Sequence, residues 1–125
     1  MTSLQGSFYR KPETEEYFFV EGCHILEYLN DEADAACSIA RARVEAGVET
    51  RLHALVNTTE RYLILSGSGL ATIGDQQRQL VAGDVVVIPP DCPQQILNNG
   101  SEDLVFLAIC TPRFVPDCYQ DLENH

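Results

Sequence analysis

The sequence predicts a single all-β barrel, and three observations predict it. Its apolar runs are short, of strand length, and are broken at close intervals by turn residues. No stretch carries the period of an amphipathic helix. Glycine and proline stand where the apolar runs reverse or stop rather than inside them. With 125 residues, the chain is the size of one domain and can bury a core.

Taken in order, residues 17–20 and 23–28 read as strands split by Glu21-Gly22. Residues 30–35 are a polar, acidic loop. Residues 37–44 alternate, with Ile39, Arg41 and Arg43 on one side and Ser38, Ala40 and Ala42 on the other. Either side could face inward. Residues 51–56 form a strand that turns at Asn57-Thr58-Thr59, and 61–65 form the strongest strand, ending at Ser66-Gly67. Residues 70–73, 79–81 and 85–88 follow, the last stopped by Pro89-Pro90 because proline cannot donate to a ladder. Residues 94–97 and 104–110 complete the set. The tail after Pro116 reads as a short helical turn.

Composition narrows the function classes. The net charge is −11 and Lys11 is the single lysine. A nucleic acid or an anionic membrane surface is a poor partner, because both need a basic patch. No run approaches the ~20 apolar residues of a membrane helix. The first residues show neither a basic segment nor an apolar one, so a cytoplasmic protein is expected. The five cysteines, Cys23, Cys37, Cys92, Cys110 and Cys118, are widely spaced and form no CxxC pair. In a reducing compartment they read as free thiols, mostly small buried hydrophobes.

Two spaced constellations carry more information. The first, over 47–67, is Gly47, five residues, His53, one residue, Leu55, four residues, Glu60, six residues, Gly67. The second, over 83–98, is Gly83, five residues, Pro89, one residue, Asp91, two residues, Gln94, three residues, Asn98. This double pattern resembles that of the cupin superfamily. The resemblance implies a double-stranded β-helix (jelly-roll) barrel over residues 1–125, with a lumen that binds small molecules. It also implies that His53, Glu60 and Gln94 occupy three of the family's four metal-ligand positions. Leu55 stands where the family has a second histidine, and Gln94 where it has a third.

Side chains two apart on a strand share a face. Arg51, His53 and Leu55 are therefore expected on one face, with Glu60 and Tyr62 on the next strand and Gln94 on a third. One imidazole, one carboxylate and one amide make a weak site for a divalent metal such as Zn, Fe, Mn or Ni. Without metal, the same groups could form a hydrogen-bonded polar cluster or an acid–base site. His53 would supply the titrating group, Tyr62 a hydroxyl, and Arg51 a positive charge for an anionic or sugar-acid metabolite. Three functions remain open: a non-redox enzyme of isomerase or lyase type, a non-catalytic small-ligand binder or sensor, and a purely structural domain. The aromatic-rich strands within residues 1–30 are expected to be shared across a homodimer.

Overall fold

Two antiparallel sheets face each other in the computed structural model, which describes residues 4–123. The strands are β1 (Tyr17–Phe19), β2 (Cys23–Leu29), β3 (Ser38–Val44), β4 (His53–Leu55), β5 (Thr59–Ser66) and β6 (Ser68–Ile73). They continue with β7 (Gln76–Val81), β8 (Val85–Ile88), β9 (Gln94–Leu97), β10 (Leu104–Thr111) and β11 (Tyr119–Asp121). One sheet runs β1-β2-β3-β10-β5-β8 and the other β11-β4-β9-β6-β7. This is an all-β jelly-roll of the double-stranded β-helix type. No helix among the described residues is long and apolar enough to cross a membrane.

The core fills the space between the sheets because alternate residues of each strand point there. Tyr62 and Ile64 of β5, Ile96 of β9, and Leu104 and Phe106 of β10 pack with Val44, Ala71, Leu80 and Ile88. Gly67 permits the tight β5–β6 reversal. Its φ is +79°, and a Cβ there would run into the Asp103 carbonyl and lie 3.0 Å from Leu104 Cα. Asn98, fully buried, is a structural bolt: its amide donates to the carbonyls of Val44 and Glu102, both at 2.8 Å, and its Oδ1 accepts from Gly100 N at 3.0 Å.

Two elements differ from the sequence expectation. The strand expected over 51–56 is confined to His53–Leu55, because Arg51 N donates to the Glu21 carbonyl instead of a ladder partner. The expected turn is present in the tail as a 3-10 turn at Pro116–Cys118, but it leads into β11, which pairs with β4. The β3 side left open is resolved as well. Ser38, Ala42 and Val44 are buried, while Arg41 and Arg43 lie on the outer face under the N-terminal segment. Glu16 bridges both arginines, Glu13 holds Arg41 and Asp103 holds Arg43. Those guanidinium groups hold the Glu16 carboxyl down at about 2. At the sheet's edge, β1 pairs with β2 of its own chain and leaves its other side open.

Candidate functional site

Five elements converge at one end of the lumen. β4 contributes His53, β5 contributes Glu60 and Tyr62, and β9 contributes Gln94. β10 contributes Cys110, and the β1–β2 turn contributes Glu21. His53 and Gln94 are direct register partners, as are Glu60 and Cys110. Glu21 arrives by a longer route. Gly22, at φ +104°, turns the hairpin. The bond from Arg51 N to the Glu21 carbonyl, 2.8 Å, then ties that turn against the start of β4.

The hydrogen bonds fix most of the cluster. His53 is buried, and its Nδ1 lies 2.7 Å from the Arg51 carbonyl. A carbonyl only accepts, so Nδ1 carries the hydrogen. That leaves Nε2 facing Glu21 Oε2 at 3.6 Å. The Tyr119 ring stacks on the imidazole at 5.1 Å and 19°. Tyr62 donates its hydroxyl to Gln94 Oε1 in a short bond, and its ring packs on Phe106 at 4.4 Å.

Glu60 is the exception. Its Oε2 accepts from the weak thiol donor of Cys110, at 3.8 Å, and the Gln94 amide lies close to the same carboxyl. Its Oε1 is buried without a hydrogen-bond partner. Burial, with the nearby Glu21 charge adding to it, raises the Glu60 carboxyl from 4.5 to about 7, against the opposing pull of His53 and Gln94. Burial likewise raises Glu21 to about 7, with the Cys23 thiol opposing. Burial also pushes the Cys23 and Cys110 thiols up, and neighbouring carboxylates push them further. They are therefore protonated, poor nucleophiles. Two carboxyl groups poised near neutral pH are thus held close together.

A pocket opens onto this cluster from the β1–β2 side. Glu60 and Cys110 form part of its wall, with Glu21, Ser38, Ala40 and Phe114 around them. Its enclosed part measures about 50 Å³, room for a few waters or one small group. His53 does not line it and sits behind Glu21. Tyr62 is likewise buried behind the wall. Arg51 lies apart: its guanidinium is held by Asp121 at 3.0 Å and by Glu123 at 3.7 Å. Sequence reasoning had no place for Glu21. The only signal was the Glu21-Gly22 turn between two apolar runs.

The residues at the family's ligand positions do not fit a tight metal site. Gln94 Oε1 is occupied by the Tyr62 hydroxyl, and Leu55 packs with Cys110 and Cys118 in an apolar cluster. His53 is the one imidazole in the set, and its Nε2 faces the Glu21 carboxyl. No group of three His, Cys, Asp or Glu side chains among the described residues is placed to hold a metal ion.

A family model described as "Cupin domain" matches residues 40–110. The uncharacterized protein MJ1618 of Methanocaldococcus jannaschii is 36% identical over 86 residues, spanning 69% of this chain and 66% of that protein. Among solved structures, a predicted oxalate decarboxylase of Thermotoga maritima is 28% identical, with a TM-score of 0.70 over 78% of this chain and 90% of that one. KdgF from Halomonas sp. superposes with a TM-score of 0.76 at 15% identity, over 88% and 96%. The Streptomyces nucleoside dehydratase Pac13 superposes at 0.77 with 19% identity, over 94% and 92%.

Proposed function

This chain belongs to the cupin family, and we propose that its barrel is a small-molecule site in which buried carboxyl groups carry non-redox proton transfer. The observation behind this reading is Glu60. It stands in the wall of an open pocket, with one oxygen unpartnered and a carboxyl raised to about 7 by burial. A general acid or base works best when its pKa lies near the working pH.

In this reading the Glu60 carboxyl gives or takes the proton of a bound molecule. Glu21 holds a second proton beside it. His53 is a positioning residue for Glu21: with Nδ1–H donated to the Arg51 carbonyl, Nε2 faces the Glu21 carboxyl at 3.6 Å. Tyr62 fixes the Gln94 amide behind the pair. The donor set at the family's ligand positions supports no tight redox metal, so the chemistry we propose is of the isomerase or lyase kind. The expectation of an anionic or sugar-acid metabolite leaned on Arg51. That side chain is engaged with Asp121 and Glu123, so the proposal does not require an anionic group on the substrate.

A non-catalytic binder or sensor would use the same pocket, and one experiment separates the two. Small carbonyl compounds that are neutral, anionic or cationic are incubated with the protein in D2O, and C–H exchange is followed by proton NMR. Enzyme-dependent exchange that disappears in Glu60→Gln is expected. Compounds that bind without exchanging would favour the binder. Exchange that persists in Glu60→Gln would remove Glu60 from the mechanism.

A further inference from the structure

The pocket's lining is chemically one-sided. It carries three carboxyl groups, Glu21, Glu27 and Glu60, and three aromatic rings, Tyr17, Phe19 and Phe114, with no lysine, arginine or histidine. Glu27 is already engaged. Its Oε1 accepts from the Tyr17 hydroxyl at 3.5 Å and its Oε2 from the Asn30 amide at 2.6 Å. Lys11 lies beside it, donating to its backbone carbonyl at 3.2 Å. Glu60 differs: it is only 9% exposed, and its Oε1 has no donor.

A buried carboxylate oxygen without a donor is costly, and the cost is removed when a ligand supplies one. An anion supplies none and would meet two acidic groups with no counter-charge. A neutral hydroxyl supplies a hydrogen bond but leaves the charge uncompensated. An ammonium supplies both, in a charge-assisted bond, and the aromatic walls can cover an apolar carbon part.

We infer that this pocket binds a small primary organic ammonium, its N–H donating to the Glu60 carboxyl at the pocket wall and its carbon part lying against Tyr17, Phe19 and Phe114. The inference rests on the lumen being the working site and names the class of molecule it takes. The enclosed volume of about 50 Å³ accommodates the ammonium and a carbon or two, and a longer ligand extends into the mouth.

The test is isothermal titration of the whole chain with ethylamine and ethanolamine, and with acetate and ethylene glycol as anionic and neutral counterparts. Each is run at neutral pH. Saturable binding of the two amines is expected, weakened about tenfold or more in Glu60→Gln. Ala40→Leu, which fills the pocket from another wall and leaves Glu60 in place, is expected to abolish binding too. It serves as the check should Glu60→Gln fold poorly. Acetate or glycol binding as tightly as the amines, and weakened by the same variants, would overturn the ligand class while leaving the lumen as the site. No binding of any probe at millimolar concentration, or amine binding untouched by both variants, would overturn the inference and count against the lumen reading as well.

Discussion

Replacing Glu60 by glutamine should flatten the dependence of stability on pH. The native carboxyl holds its proton up to about pH 7, whereas its ordinary value is 4.5. Between those values the folded state binds more protons than the unfolded chain, so stability falls as pH rises through that window. Moving one group from 4.5 to about 7 corresponds to roughly 3 kcal/mol lost between pH 5 and pH 8. Glu21 adds a loss of the same sign. Its contribution is not independent, because part of the Glu60 shift is the charge of Glu21 itself. Glu16 acts in the opposite sense and elsewhere. Its depressed carboxyl contributes stability above 4.5 that is lost as pH falls toward about 2. At about 4 °C per kcal/mol for a domain of this size, the wild type should lose roughly 10 °C more in Tm than Glu60→Gln over the window. Thermal unfolding of both proteins across pH 5–8 measures this directly. The slope is the readout, since the new amide adds a pH-independent cost of its own. Parallel curves for the two proteins would refute the claim that Glu60 is held protonated by burial.

Three further outcomes are expected. Gly67→Ala should destabilise by about 2 kcal/mol or more, because the residue sits at φ +79° against the Asp103 backbone; a denaturant melt within 0.5 kcal/mol of wild type would contradict that packing. Dialysed wild-type protein should retain well under one equivalent of zinc, and Leu55→His should raise zinc affinity about tenfold by adding a second imidazole; metal analysis showing a full equivalent in the wild type would mean that the donor set has been misread. The open edge of β1, with Phe18 64% and Val20 69% exposed, suits pairing with a second copy; light scattering should give a dimer mass that Phe18→Asp reduces to that of a monomer, and a wild-type monomer at micromolar concentration would count against it.

The barrel was legible in the sequence because its signals are local. Gly47, Gly67 and Gly83 each take positive φ at a reversal, and a turn states its needs in the residue that makes it. Alternation also placed Glu60 with Tyr62 and Gln94 with Ile96 correctly inward, since β5 and β9 are regular there. The same rule did not carry Arg51 to the pocket. The strand begins only at His53, and alternation holds no further than the ladder that enforces it. Glu21 was illegible for another reason. Its place in the lumen depends on a hairpin folding over the barrel and on one backbone bond to Arg51, a long-range event with no spacing to announce it. β11 is three residues long, too short for any periodicity to register.

The pocket's walls come largely from outside the segment that defines the family. The matched stretch runs over residues 40–110. Tyr17, Phe19, Glu21, Ile25, Glu27, Ser38 and Phe114 all line the pocket from beyond it, and Glu60 and Cys110 are supplied from within. Frame and lining are thus encoded in different parts of the chain. Two proteins could align closely over the frame and still receive different molecules, with selectivity changing through the flanks while the barrel stays as it is. Grafting the β1–β2 hairpin and the stretch around Phe114 onto another such barrel is the natural way to move a binding preference between them.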